Sequence, residues 1–491
     1  MGTPTGVHGA ERDRRPSPSG TPVLAAWAAA GTLGSLGMVL TGSRIGALAN
    51  PAHPLWWYSV PNGGSPFLSI AFYLSMALLV VAWLGIGLQA LAGRLTVRWA
   101  WLLLALWGLP LFFGPPLFSR DIYSYIAQGF IAHRGLDPYS VGPSVLGPGP
   151  LLSSVASVWR HTSSPYGPLF VSATRVMATL SGRSLVSAIL VFRSLELVGV
   201  VLIMVSLPRL ARHLGTSAGI ALWLGGLSPL ALFSFVSSGH NDALMVGLLV
   251  AGVALAVEGR LLAGLVVCAL AATVKLPAAI AIVFLVADHV GCTGRGTGRW
   301  RDVVPAVAAA AVVFVGVTLA SGYGFAWLGP TALHVPTELR VLPTPSVGLG
   351  ECFFHLLHLI GVPVTQSATV TVTQAVCGIG AALGCIWLVL TVRRHEVVRS
   401  LGLGLMLIVV GSPTVWPWYL MWGLVLLAAT TAQRSRVLPA VAALAMVVVG
   451  PTGSPRLNGA WYLVVTIVTV GAIAWLVRDR HWRSVVSGHV G

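Results

Sequence analysis

Long apolar runs follow one another along the chain from Thr21 to Val477, separated by short polar stretches. Each run is continuously apolar and does not alternate between apolar and polar positions. A helix needs about 20 apolar residues to cross a bilayer, whereas a strand of a membrane barrel shows alternating segments of about ten residues. The pattern predicts an all-α polytopic membrane protein built as a bundle of transmembrane helices.

Several runs are shorter than a full span, so the pattern predicts a number of spans from about 11 to 14. The predicted spans lie near residues 21–41, 67–91, 99–118, 184–208, 216–236, 242–257, 261–273, 277–291, 303–321, 366–391, 400–411, 418–432, 437–450 and 460–477. A lysine within the stretch Leu261–Val290 separates two of these runs, which predicts two half-spans that meet at that point.

The chain carries 29 Lys and Arg against 13 Asp and Glu, a net charge of +16. The arginines form short clusters between spans, where a basic excess fixes topology, so we do not expect a nucleic-acid partner. Topology predicts a disordered cytoplasmic segment at 1–20, one transmembrane catalytic domain at 21–477 and a cytoplasmic tail at 478–491. Four aromatic-rich polar segments then face outside: 119–168, 237–242, 322–352 and 412–419.

Carboxylates are scarce, and Asp121 stands directly after an apolar run with Arg120 beside it. Asp121, Tyr125 and Gln128 share one face of a predicted amphipathic helix lying along the membrane surface, which would give Asp121 an aqueous cavity. The alternative is that Ser119 caps this helix and Asp121 only complements its dipole. The pattern alone leaves both interpretations open.

Other polar residues of the predicted outer face have both structural and functional interpretations. Asp137 precedes a proline in a turn, where an aspartate commonly bonds its own backbone. His240, Asn241 and Asp242 open a span, which suits helix capping or the binding of a sugar or an anion. His240 is the hardest of the three to explain as a cap.

Three further features lie in or beside apolar runs. Lys275, the only lysine, favours pairing with an anion such as a lipid phosphate, because a charge inside an apolar stretch is costly. Arg193 and Glu196 are three residues apart, which predicts an ion pair within one helix. Trp416 and Trp418 suit either a sugar platform or an interfacial anchor. The five cysteines show no metal-ligand spacing, so we expect no metal and no cofactor.

Four segments carry a resemblance to a known family: Arg-Asp-Ile-Tyr-Ser-Tyr-x-x-Gln-Gly from Arg120, Arg-Gly-Leu-Asp-Pro-Tyr at 134–139, Ser-Pro-Tyr-Gly-Pro-Leu at 164–169 and Gly-His-Asn-Asp at 239–242. Together they resemble the actinobacterial polyprenol-phosphomannose-dependent α-1,6-mannosyltransferases of the MptA and MptB type, within the GT-C class. The likeness extends over nearly the whole chain. In one respect the chain departs from that class, which often has its acid in the loop after the first span, because residues 42–66 contain no acid.

The resemblance implies an inverting glycosyltransferase of the plasma membrane with its active site outside the cytoplasm. The implied partners are a polyprenyl-phosphate mannose donor, the 6-hydroxyl of a lipid-anchored mannan and membrane lipid. Asp121 matches the catalytic base, and Lys275 and Arg120 are candidates for donor-phosphate binding. The candidates for acceptor or sugar binding are Tyr123, Tyr125, Gln128, Asp137, Tyr139, Tyr166, His240, Asn241, Asp242, Arg340, Trp416 and Trp418.

Two alternatives stay open at this point. The transferred sugar could be another polyprenyl-phosphate sugar such as arabinose. A transporter or flippase of lipid-linked sugars would also need outer polar loops and a phosphate-binding cation, but it should show inverted repeats and charges near the membrane midplane. The acid-bearing, aromatic outer segments favour the enzyme.

Overall fold

The computed structural model describes residues 21–45, 66–182, 184–291, 300–329, 344–392 and 397–430, and regular structure in these ranges is entirely helical. The described helices, with short turns omitted, are α1 (Thr21–Ile45), α2 (Pro66–Leu91), α3 (Val97–Phe113), α4 (Asp121–His133), α5 (Pro150–Ser154), α6 (Pro168–Leu180), α7 (Leu185–His213), α8 (Ala218–Gly226), α9 (Pro229–Ser237), α10 (Asp242–Val257), α11 (Leu261–Val274), α12 (Leu276–Val290), α13 (Trp300–Ala320), α14 (Pro345–Leu359), α15 (Gln366–Leu390), α16 (Val397–Gly411) and α17 (Pro417–Ala428).

Five of the described helices are long and apolar enough to cross a membrane, or six if the bent pair α8 and α9 counts as one span. Shorter apolar helices accompany them, including α3, α10, α11 and α16. The protein is therefore an all-α, multi-pass membrane protein, as the apolar pattern predicts. The predicted spans at 437–450 and 460–477 and both predicted cytoplasmic termini lie outside the described residues.

Three helices, α5, α6 and α14, occupy segments in which no helix is predicted from the sequence. α6 begins with Pro168 at its first position, where a proline's missing N–H costs no hydrogen bond. α14 begins the same way at Pro345, and the Thr344 hydroxyl accepts a hydrogen bond from the Val347 N–H. The predicted outer loop 322–352 is thus partly helical at its end, because proline and glycine here mark a helix start.

The break at Lys275 is confirmed. α11 ends at Val274, Lys275 is extended (φ −153°, ψ 122°), and Pro277 lies in the first turn of α12. A proline cannot supply the N–H that would continue the α11 ladder, so the polar side chain of Lys275 is placed between two apolar helices. Bundle packing then brings this break close to α10, which contacts both α11 and α12.

Arg193 of α7 connects three elements around the site and does not pair with Glu196. Its guanidinium donates to the carbonyl oxygens of Phe112, Gly114 and Ser237. Glu196 instead accepts a hydrogen bond from the backbone N–H of Leu244 in the first turn of α10. The predicted ion pair is therefore wrong, because unpaired backbone groups at helix ends hold both buried side chains.

Candidate active site

Asp121 is the first residue of α4 and is 8 % exposed. Its backbone N–H donates to the Ser119 hydroxyl oxygen at 3.1 Å. Arg120 occupies the N-cap position and makes no side-chain capping hydrogen bond, so the predicted N-cap role of Ser119 is wrong. The carboxylate of Asp121 has a different partner, because Trp159 Nε1 donates to Oδ1 at 3.1 Å. The Ser119 contact thus engages only the backbone of Asp121, and the Trp159 indole engages only Oδ1 of its carboxylate.

His240 faces the second carboxylate oxygen of Asp121. Its Nδ1 lies 3.6 Å from Asp121 Oδ2, and the Tyr125 hydroxyl lies 3.4 Å from the same nitrogen. The Tyr125 hydroxyl also lies 3.4 Å from Asn241 Oδ1. The imidazole is fully buried and stacks on the Trp418 ring, with 3.6 Å between centroids. Its Nε2 is buried without a hydrogen-bond partner.

Asp242 and Lys275 form the second charged group of the site. Lys275 Nζ lies 2.9 Å from Asp242 Oδ1, and Trp422 Nε1 donates to the same oxygen. The ammonium also lies over aromatic rings, 4.2 Å from the centroid of Tyr419 and 5.2 Å from that of Trp422. A carboxylate and two ring faces thus compensate the charge of the partly buried Lys275.

The surroundings of Asp121 perturb its acidity. Burial raises the pKa of its carboxyl to about 6, while the Trp159 hydrogen bond and the charge of Lys275 lower this pKa and the charge of Asp242 raises it. A carboxyl with a pKa near 6 is ionised at neutral pH and is a stronger proton acceptor than an ordinary aspartate. The arrangement suits a general base.

The segment around Tyr166 packs against one side of the site. The Gly167 N–H donates to the Val274 carbonyl at 2.9 Å, and a Cβ at Gly167 would lie 2.1 Å from the Thr273 carbonyl oxygen. This contact requires a glycine, and it presses Tyr166 against the break at Lys275. The Tyr166 ring packs edge to face on Tyr125, 5.1 Å between centroids.

Many of the predicted site residues come together in the structure. The group around the two carboxylates contains Asp121, Tyr125, Tyr166, His240, Asn241, Asp242, Lys275 and Trp418. Trp416 also stacks on the Trp418 ring, with 5.0 Å between centroids. Gln128 accepts a hydrogen bond from the Ser164 hydroxyl and so anchors the loop that carries Tyr166.

Other predicted site residues have different surroundings. Both Asp137 oxygens accept bonds within their own turn, from the Tyr139 N–H and the Ser140 hydroxyl. The Tyr139 ring packs on Tyr323, and the Tyr123 hydroxyl is buried without a hydrogen-bond partner. Asp137 therefore shows the structural role that its turn allows. Arg340 lies outside the described residues.

Trp159 and Trp422 also belong to the site, although they are not predicted from the sequence. Both tryptophans place an indole N–H on a site carboxylate, and Arg160 follows Trp159 directly. The available signal was weak: Trp159 is an aromatic residue of the outer segment 119–168, and Trp422 lies one turn beyond the aromatic cluster at 416–419. In the described ranges no three His, Cys, Asp or Glu side chains are grouped so as to hold a metal ion.

Comparisons with known proteins agree over most of the chain. A family model described as "Alpha-(1->6)-mannopyranosyltransferase, N-terminal domain" matches residues 28–291, and one described as "MptB C-terminal domain" matches residues 346–478. No solved structure matches the chain.

Curated relatives have corresponding names. Alpha-(1->6)-mannopyranosyltransferase A of Mycobacterium tuberculosis is 34 % identical over 84 % of this chain and 81 % of its own length. Alpha-(1->6)-mannopyranosyltransferase A of Corynebacterium glutamicum is 30 % identical over 75 % of this chain and 78 % of its own length. Matches of this extent identify a glycosyltransferase, and the chain belongs to the alpha-(1->6)-mannopyranosyltransferase family.

Proposed function

We propose that the protein transfers mannose from polyprenyl-phosphate mannose to the 6-hydroxyl of a lipid-anchored mannan, such as the core of lipomannan or lipoarabinomannan. The reaction takes place on the outer face of the plasma membrane. The observation that carries the proposal is Asp121: a buried carboxyl that bonds an indole N–H, faces an imidazole and has its pKa raised to about 6. The family membership supports mannose as the sugar and the α-1,6 linkage.

The chemistry needs one base. The acceptor O6 attacks the anomeric carbon C1 and forms the O6–C1 bond, while the bond between C1 and the phosphate oxygen breaks and its electron pair stays on the phosphate. Asp121 takes the proton of the acceptor hydroxyl. A phosphate leaving group needs little protonation, so no second acid is required. One displacement at C1 of a β-linked donor gives the α-linkage.

In this proposal the role of Lys275 is to lower the pKa of Asp121. Its ammonium is already paired with Asp242, so the pair is close to neutral as a unit. Its positive charge still lowers the pKa of Asp121 and opposes the negative charge of Asp242. Lys275 thereby keeps Asp121 ionised at neutral pH.

The aromatic stack of Trp416, Trp418 and His240 is the proposed acceptor platform. Trp416 is partly exposed at the outer end of the stack, and His240 lies at the inner end beside Asp121. Sugar rings present apolar faces to aromatic rings and hydroxyls to polar groups. The buried, unpartnered His240 Nε2 offers such a polar group.

A membrane assay tests the reaction. Membranes carrying the protein are supplied with labelled polyprenyl-phosphate mannose and an α-1,6-mannan acceptor, and the product linkage is analysed. We expect new α-1,6-linked mannose, with Asp121→Asn membranes as the control that lacks the base. If a parallel assay with labelled polyprenyl-phosphate arabinose gives transfer and the mannose donor gives none, the donor sugar is arabinose. Movement of the lipid-linked sugar across the membrane without transfer would indicate a flippase.

The proposed sidedness has its own test. Ser140 lies at an exposed position in the segment that carries the site, and Arg212 lies exposed near the end of α7. In a cysteine-free background, S140C should react with a membrane-impermeant maleimide in intact cells, and R212C should react only after the cells are opened. The reverse pattern would place the active site on the cytoplasmic face.

A further inference from the structure

Two arginines converge on the carboxyl end of α5. Arg120 donates from Nε to the Ser154 carbonyl and from Nη2 to the Ser153 carbonyl, both at 2.9 Å. Arg160 donates from Nε to the Val155 carbonyl at 3.1 Å and from Nη2 to the same Ser153 carbonyl at 3.3 Å. A single carbonyl oxygen therefore holds two guanidinium groups side by side.

This arrangement concentrates positive charge without a protein counter-charge. Within the described ranges neither arginine forms an ion pair. Burial lowers the pKa of the Arg120 guanidinium most, and the neighbouring charge of Arg160 lowers it further. Each guanidinium uses only its Nε and Nη2 for the carbonyls, so the Nη1 group keeps its two N–H donors.

Both arginines are next in sequence to residues of the site. Arg120 directly precedes Asp121, and Arg160 directly follows Trp159, whose indole holds the Asp121 carboxylate. The backbone of Arg160 is itself fixed, because its carbonyl accepts a hydrogen bond from the Ser144 N–H at 2.7 Å. The two guanidiniums are thus carried by residues whose immediate neighbours in the chain are the proposed base and its indole partner.

We propose that Arg120 and Arg160 form a two-armed binding site for the phosphate of the lipid-linked donor. This inference rests on the proposed function and assigns the phosphate to a different place from Lys275, which Asp242 already pairs. Guanidinium groups bind phosphate through two parallel hydrogen bonds. As the C1–O bond breaks, the phosphodiester with one negative charge becomes a phosphomonoester that carries more, and two adjacent cations stabilise that added charge.

The competing explanation is that both arginines only cap the carboxyl end of α5, whose last carbonyls lack helical partners. One arginine suffices for that role, and two guanidiniums on one carbonyl repel each other. An explanation by capping predicts that replacing Arg160 changes stability alone. A phosphate site predicts a change in donor affinity.

The experiment uses the full-length protein in nanodiscs of zwitterionic lipid and compares the wild type with Arg160→Gln. We measure KM for a short-chain polyprenyl-phosphate mannose and the inhibition constant of the matching polyprenyl phosphate. We expect both to rise about tenfold or more, since hydrogen bonds between charged groups are the strong ones. The acceptor KM and the acid limb of the pH profile should stay unchanged.

Two variants control for other effects. Arg160→Lys keeps the charge but loses the planar fork, so its donor KM should rise less than that of Arg160→Gln. Arg134→Gln removes an exposed arginine at the end of α4 and should leave the donor KM unchanged. A lower unfolding temperature of Arg160→Gln with unchanged donor KM and inhibition constant would overturn the proposal in favour of helix capping.

The source of the phosphate is distinguished by further arms. Inorganic phosphate should inhibit the wild type weakly and Arg160→Gln less. If added anionic phospholipid raises the donor KM of the wild type but not of Arg160→Gln, while polyprenyl phosphate inhibits both equally, the pair holds a bilayer lipid and the proposal is wrong. If the wild type transfers no mannose, the proposed function fails, and direct binding of polyprenyl phosphate to both proteins still decides the phosphate site.

Discussion

The two buried carboxylates of the site differ in their partners. Asp242 shares one oxygen between the Lys275 ammonium and the Trp422 indole, so its charge is compensated by a cation. Asp121 has an indole on one oxygen and an imidazole 3.6 Å from the other, and its nearest described contacts include no ammonium or guanidinium. A compensated carboxylate holds structure together, whereas an uncompensated one can accept a proton. The difference supports the proposal that Asp121 is the base and that Asp242 has a structural role.

The largest expected effect is on Asp121. Asp121→Asn keeps the shape and the Trp159 contact but removes the proton acceptor, so the rate of mannose transfer should fall about 10²- to 10⁴-fold, the usual contribution of a general base. The measurement is transfer from polyprenyl-phosphate mannose by purified protein, with the unfolding temperature as a control. Transfer retained at the wild-type rate would remove Asp121 from the role of base.

Breaking the ion pair between Asp242 and Lys275 should mainly lower the stability of the folded protein. Lys275→Met leaves the Asp242 charge buried without its cation, which costs about 3–5 kcal/mol for a buried pair. The double variant Asp242→Asn with Lys275→Met removes both charges and should recover much of the lost stability. Thermal unfolding in detergent measures both. A single variant as stable as the wild type would show that the pair does not hold α10 to the break at Lys275.

An intermediate effect is expected at Trp159, which positions the Asp121 carboxylate. The base works only when ionised, so with a pKa of about 6 the rate should fall as the pH drops through that value. Trp159→Phe removes the hydrogen bond that lowers this pKa, so the acid limb should move to higher pH, by about one unit for the loss of roughly 1.4 kcal/mol. The pH dependence of kcat/KM measures it. An acid limb that does not move would show that Trp159 does not lower the pKa of the proposed base, Asp121.

The smallest effect is expected at Asp137, a carboxylate outside this comparison. Asp137→Asn keeps one side-chain oxygen for the Tyr139 N–H, so the turn should lose about 1 kcal/mol or less. Transfer should stay within about threefold of the wild type, since 0.6 kcal/mol changes a rate by that factor. A loss as large as that of Asp121→Asn would instead restore Asp137 to the acceptor site.

The sequence predicts most of the helices and the centre of the site. Apolar length located α1, α2, α7, α13 and α15, and the cost of a charge in an apolar stretch located the break at Lys275. The scarcity of acids directed attention to Asp121 and the 239–242 segment. These inferences succeed because they depend on local composition and on the bilayer as solvent, which the sequence states directly.

The partners of the charged groups could not be predicted in the same way. Trp159 lies 38 residues from Asp121, and Trp422 lies 180 residues from Asp242, so tertiary packing alone brings the indoles to the carboxylates. The spacing of Arg193 and Glu196 allowed an ion pair, but both side chains form hydrogen bonds with backbone groups at helix ends instead. Local spacing indicates which contacts are possible, and packing selects among them.

The distance in sequence between Asp242 and Trp422 has a consequence for how the protein is made. Asp242 and Lys275 enter the membrane long before the ribosome has produced the indole that completes their environment. A chain released before residue 416 would lack the stack over His240 and the second donor to Asp242, although it would already contain the base. Completion of the proposed site is therefore coupled to synthesis of the late helices, and we expect a chain that ends before residue 416 to transfer no mannose.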